Sequence, residues 1–219
     1  ENHLNAMFAG PDADTLFVVA EAGAVYRSLD SGVTWEKILT GYGGSFWGGL
    51  TAKDGSVYAT GMRSLSVGRA RYGLMLREDG FVLDDGTVAR LGEHRFIVTT
   101  TTANAAKVLQ HMEFCQQWLS PALDVQLVSV SEQWAQVSLA GPRSRDVLRE
   151  IVDPQHDISN AAFPYMAAAE LTGMGGIRAR LFRISFSGEL AYEIAVPAGY
   201  GDALMRRLVE AGRPYGIAP

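Results

Sequence analysis

The chain has 219 residues, 47% of them hydrophobic, with a formal net charge of -5 and one cysteine. That is enough apolar mass for one large or two small packed domains, and the acidic balance excludes the basic face that non-specific nucleic-acid binding needs. No apolar run approaches the roughly 20 residues of a membrane-spanning helix, and Cys115 alone permits no internal disulfide.

The first residues, Glu1-Asn2-His3-Leu4, lack the basic start and apolar middle of a signal peptide, so the expected compartment is cytoplasmic. Residues 1–63 read as β-rich. Leu16-Phe17-Val18-Val19-Ala20 is a branched apolar run of strand length, turned at Glu21-Ala22-Gly23 into Ala24-Val25-Tyr26-Arg27. Ser28-Leu29-Asp30-Ser31-Gly32-Val33-Thr34-Trp35 follows the pattern S-x-D-x-G-x-T-W. In it Asp30 can accept backbone amides across a turn, Gly32 can take a positive φ, and Trp35 opens the return strand. The segment resembles an Asp-box (BNR-like) β-propeller blade of the kind found in sialidases and photosystem assembly factors, which implies a structural role for Asp30. A second, partial blade is expected from Phe46-Trp47-Gly48-Gly49-Leu50 and from Ser56 to Gly61. About one and a half blades cannot close a propeller, so their edges are expected to be covered by the rest of the chain or by another copy.

The character changes at Arg63 to Ser66 without a Pro/Gly/Ser linker, and residues 64–219 are expected to form a second domain. Glu78-Asp79-Gly80 and Asp85-Gly86 are both turn signals, too close together for both to be turns. If the chain runs extended through Asp84-Asp85, the two carboxylates face opposite sides of the sheet. One can then enter a pocket while the other meets solvent. Strands are expected at Thr87–Leu91 and Arg95–Thr100, and a helix over Ala103–Trp118. Further strands are expected at Val125–Val130, Gln133–Leu139, Ile177–Ile184 and Tyr192–Val196. Helices are expected after Pro142 and over Gly201–Gly212. The fold class that results is α+β, a β-rich blade-like N-terminal segment joined to a mixed sheet layered with helices.

The order of pieces from Gly68 to Trp118, with Ser187-Gly188-Glu189-Leu190-Ala191-Tyr192-Glu193-Ile194 downstream, resembles the folate-binding domain of glycine-cleavage aminomethyltransferases and the sarcosine oxidase large subunit. The sarcosine oxidase branch is the nearer resemblance. It implies tetrahydrofolate as the ligand and one-carbon transfer as the chemistry. It also implies that Asp85 faces the reactive nitrogens, where a carboxylate stabilises developing positive charge, and that Asp84 faces away to solvent. Glu189 matches the glutamate of the family's T-G-E-D-G motif, implying paired acceptance from a pterin edge. Tyr192 and Glu193 follow it in the same strand, Arg183 matches an arginine that precedes it, and Thr101 stands where aminomethyltransferases carry Asn. Ser187, Leu190, Ala191 and Phe186 also depart from the usual motif. Read without the resemblance, Ser187-Gly188-Glu189 is a hairpin turn with an exposed glutamate, and Asp85-Gly86 an acidic turn.

His3, His94, His111 and His156 show no metal-ligand spacing, and Gly173-Met174-Gly175-Gly176 runs into a strand rather than a helix. No metal, flavin or NAD is therefore expected in this chain. Arginines gather at Arg69, Arg71 and Arg77 and at Arg178, Arg180 and Arg183, as solvated faces or as an anchor for an anionic ligand tail such as polyglutamate. The family's first segment has no counterpart here, and the chain stops before the family's next helix. The resulting expectation is a truncated folate module with weak or no activity and a tendency to form a homo-oligomer. A non-catalytic chimeric domain and a carbohydrate-binding or assembly module led by the Asp-box segment stay open as alternatives.

Overall fold

The computed structural model describes residues 4–20, 24–40, 50–51, 57–58, 65–77, 81–186 and 188–218. Its contacts divide the chain into two compact units, Glu1–Leu65 with Arg71–Val88 and Val98–Val128, and Ser66–Ala70 with Ala89–Ile97 and Ser129–Pro219.

In the first unit β1 (Leu4–Ala9), β2 (Leu16–Ala20), β3 (Ala24–Ser28) and β4 (Glu36–Leu39) form an antiparallel meander in chain order. The β3–β4 turn is closed by side chains. Asp30 accepts from the Thr34 amide at 2.8 Å and from the hydroxyls of Ser28 at 2.7 Å and Thr34 at 2.5 Å. Gly32, at φ +92, donates its amide to Ser28 Oγ at 2.8 Å. A short pair, β5 (Leu50–Thr51) and β6 (Val57–Tyr58), follows. Phe46 to Gly49 and the rest of Ser56 to Gly61 lie outside the described residues.

Next come β7 (Arg69–Leu76), β8 (Val82–Gly92) and β9 (Arg95–Val98), a three-stranded sheet in that order. Leu74 and Leu76 of β7 are buried in one cluster with Phe17, Val19 and Val25 of the meander. Packing therefore joins residues on both sides of the 63/64 boundary expected from the sequence. Helix α1 (Ala105–Phe114) continues through a wider π-type turn over Cys115–Leu119. Of its residues Val108 is buried, while Phe114 and Trp118 are exposed.

Val125–Val130 is not a strand. Its apolar alternation has the right period, but among the described residues no strand pairs with it, and Val125 and Val128 are exposed. Periodicity marks a strand only where a neighbouring edge accepts the ladder.

The second unit holds β10 (Trp134–Ala140), α2 (Ser144–Arg149), β11 (Ala168–Gly173), β12 (Ile177–Phe182), β13 (Ala191–Pro197) and α3 (Gly201–Gly212). The four strands form an antiparallel sheet in the order β10-β13-β12-β11. One face packs Leu139, Leu171, Leu181, Tyr192 and Ile194 against Val147 and Leu148 of α2 and Leu204 and Leu208 of α3. On the other face, Ala168 and Phe182 form a smaller cluster with Ala70 and Ala89. The architecture is α+β with a strand-rich N-terminal part.

Candidate functional site

Strand β8 runs without interruption through Val82-Leu83-Asp84-Asp85-Gly86, so Asp85-Gly86 is not a turn. Gly86 is present for another reason. A Cβ there would sit 1.8 Å from the carbonyl oxygen of Thr99, so only glycine allows that approach. Beside it, Thr99 Oγ1 accepts from the Thr87 amide at 3.0 Å and lies 2.7 Å from Thr87 Oγ1.

The strand's alternation separates the two aspartates, with a correction to the expected facing. Asp84 is 4% exposed rather than solvent-facing. Its Oδ2 accepts the Thr101 amide at 2.9 Å and its Oδ1 lies 3.4 Å from Asn104 Nδ2. A buried carboxylate must be matched by donors, and Asp84 finds them at the entry to α1. Asp85 is half-buried, and Tyr72 on the neighbouring β7 donates its phenol to Asp85 Oδ2 at 2.5 Å. Sequence reasoning missed Tyr72. The pairing of β7 beside β8, which no local pattern announces, brings it to the acidic pair.

Thr101 contributes its backbone to this corner, and its side chain is exposed. Tyr72, Asp84, Asp85, Thr101 and Asn104 all belong to the first unit. Arg183, Glu189, Tyr192 and Glu193 all belong to the second.

In the second unit, Ser187 lies outside the described residues, while Gly188 at φ +92 donates its amide to Ser185 Oγ at 2.8 Å. Glu189 is exposed just beyond this bend, and Phe186 is fully exposed before it. Tyr192 points to the core face at 0% exposure, under the guanidinium of Arg145. Glu193 points to the opposite face, where Gln136 Nε2 donates to its Oε2. Burial pushes the Glu193 carboxyl above its usual value. Arg183 is engaged within the protein, donating to Asn160 Oδ1 at 2.7 Å and to the Phe163 carbonyl at 3.0 Å. It therefore does not join Arg178 and Arg180 as one basic cluster.

These residues supply two kinds of carboxylate. Asp85 is a half-buried acceptor oriented by a phenol, suited to sit beside a developing cation. Glu193 is a desolvated acceptor whose partner is a neutral amide, suited to a ligand that presents N–H groups. Among the described residues, no group of three or more His, Cys, Asp or Glu is placed to hold a metal ion. No helix among them is long and apolar enough to cross a membrane.

The family profile of the GCVT N-terminal domain matches residues 55–219. The sarcosine oxidase subunit alpha of Rhizobium meliloti is 59% identical over 164 residues, which are 74% of this chain and 16% of that one. An aminomethyltransferase of Thermus thermophilus is 35% identical over 158 residues, covering 70% of this chain and 42% of that one. Among solved structures, the glycine cleavage system aminomethyltransferase T of Bartonella henselae aligns with a TM-score of 0.56 at 25% identity. That alignment covers 68% of this chain and 37% of the other. The chain thus spans less than half the length of each of these relatives.

Proposed function

The chain belongs to the GCVT N-terminal domain family, and from that premise we propose that it carries a tetrahydrofolate-binding module of a one-carbon-transfer enzyme. The observation that carries the reading is the 59% identity to a sarcosine oxidase subunit alpha over 164 residues, a stretch that covers 74% of this chain. The set of acceptors is compatible with such a ligand. A reduced pterin presents amide and amino N–H groups along one edge and basic nitrogens at the reacting end, and carboxylates are the natural acceptors for both.

In this reading Asp85, held by Tyr72, addresses the reacting nitrogens and stabilises positive charge that develops there. Glu189 and Glu193 accept from the pterin edge. Tyr192 anchors their strand from the core side, Arg183 fixes the loop at 160–163, and Thr101 closes the Asp84 corner. Tetrahydrofolate supplies the one-carbon carrier when bound; the chain's own groups bind, orient and stabilise charge. Residues 1–63 serve as a structural segment, and self-association is part of the proposal. Leu39 on the outer strand β4 is 88% exposed, an apolar edge for a second copy to cover.

Calorimetric titration of the chain with tetrahydrofolate tests the reading. Saturable heat is expected, and Asp85→Asn or Glu189→Gln should each weaken binding by about tenfold or more, the effect of losing a hydrogen bond to a charged group. The absence of both heat and competition at millimolar ligand would remove folate binding from this chain.

A further inference from the structure

On the face of the second unit's sheet opposite α2 and α3, Glu170 of β11 gathers three arginines. Its Oε2 lies 2.6 Å from Arg95 Nη2, and its Oε1 lies 3.2 Å from Arg180 Nε and 3.9 Å from Arg178 Nη2. The register explains the convergence. Glu170 pairs with Arg180 and Thr172 with Arg178 across β11 and β12, so the two arginines, two positions apart, project from one face. Arg95 is the first residue of β9.

Exposed strand arginines are ordinarily solvated one at a time. This group differs in two respects. A single carboxylate stands among three guanidinium groups, which leaves two positive charges without a counter-charge in the cluster. Arg180 is also fixed in place, with its side chain 12% exposed and its guanidinium carbon 3.8 Å from the centre of the Trp134 ring. Burial first pulls Arg180 below the usual arginine value. Glu170 opposes that pull, and the like charges of Arg178 and Arg95 add to it. The repulsion is therefore present in the folded chain.

The donors are in surplus too. A guanidinium offers five N–H groups in a planar fork. Arg95 bonds Glu170 through Nη2 alone, and Arg178 is beyond hydrogen-bond distance at 3.9 Å. Their side chains are 54% and 69% exposed, accessible to a ligand from solution.

We propose that Arg95, Arg178 and Arg180, organised by Glu170 and Trp134, form a binding site for a small polyanion bearing two or more phosphate or carboxylate groups. Bidentate contacts to planar oxyanions suit arginine better than lysine, and a ligand of this kind supplies the missing negative charge. None of the carboxylates that the folate reading places on the ligand, Asp85, Glu189 and Glu193, belongs to this site.

The test is calorimetry of the 219-residue chain at low ionic strength with inorganic pyrophosphate and, separately, tricarballylate. One saturable site is expected for at least one of them, with affinity falling as salt is added. Tighter pyrophosphate binding identifies a phosphate ligand, tighter tricarballylate binding a carboxylate one; both uphold the site. Arg95→Gln and Arg178→Gln should each weaken binding about tenfold. Arg206→Gln, which alters an exposed arginine paired with Asp202 on α3, should not. The proposal fails if neither anion binds saturably to chain shown by circular dichroism to be folded. It also fails if binding survives both Arg95→Gln and Arg178→Gln unchanged.

Discussion

Tyr72 and Asp85, on the neighbouring strands β7 and β8, are joined by a 2.5 Å hydrogen bond from phenol to carboxylate. A charge-assisted bond of that length sets the rotamer of the aspartate before any ligand arrives. Tyr72→Phe should therefore leave the fold intact and weaken tetrahydrofolate binding about fivefold, from the loss of one such bond. Equal affinity for the two proteins in a calorimetric titration would show that Asp85 needs no such support.

Asp84 should behave in the opposite way. Its carboxylate takes the Thr101 amide and lies near Asn104, buried at the start of α1. Asp84→Asn should cost about 1–3 kcal/mol of stability in urea unfolding, whether or not a ligand is present. A midpoint identical to that of the unaltered chain would mean that this corner is held by its backbone alone.

The two aspartates show how far the sequence could be read. Alternation along an extended strand separates their faces, and that separation holds. Which face is interior depends on Thr101 and Asn104, 17 and 20 residues away, and no local pattern announces them. Strand β11 was illegible for a related reason. Ala-Ala-Glu-Leu-Thr-Gly has little β propensity, and its pairing with β12 decides its conformation. Helix α1 was legible from its stripe, although Val108 is the residue it buries.

Gly86→Ala should be among the most damaging single-methyl changes in the chain. The added Cβ would meet the Thr99 carbonyl oxygen at 1.8 Å, and backbone cannot rotate aside as a flexible side chain can. A loss of about 3 kcal/mol is expected, at the upper end of overpacking penalties. A thermal midpoint within a degree or so of the original would show that the 99–100 segment yields freely.

The turn at Asp30 should be acid-sensitive. Hydrogen bonds from the Thr34 hydroxyl and amide, and then from Ser28, lower its carboxyl from 3.8 to about 2. Because the folded value lies below the unfolded one, the stabilisation is complete above the ordinary carboxylate value. It is lost as the pH falls through about 2. The melting temperature of Asp30→Asn should lie below that of the unaltered chain near neutrality and converge with it in strong acid. Parallel curves over the whole range would assign the turn's stability elsewhere.

Self-association should be measurable. The outer strand β4 carries exposed Leu39, and Leu29 and Val33 are exposed in the turn before it. Light scattering should show a mass that rises with protein concentration, and Leu39→Lys should shift it toward the monomer. A concentration-independent monomer would contradict this.

The burial of Leu74 and Leu76 beside Phe17, Val19 and Val25 bears on how the chain can be cut. Excising residues 64–219 would strip β7 of those partners and leave two leucines facing water, an aggregation hazard in an expressed fragment. In native-state hydrogen exchange, the amides of β2 and β7 should lose protection in the same opening event rather than successively. Protection lost in one event would make β2 and β7 parts of a single foldon, and a fragment that begins between them would carry only half of it.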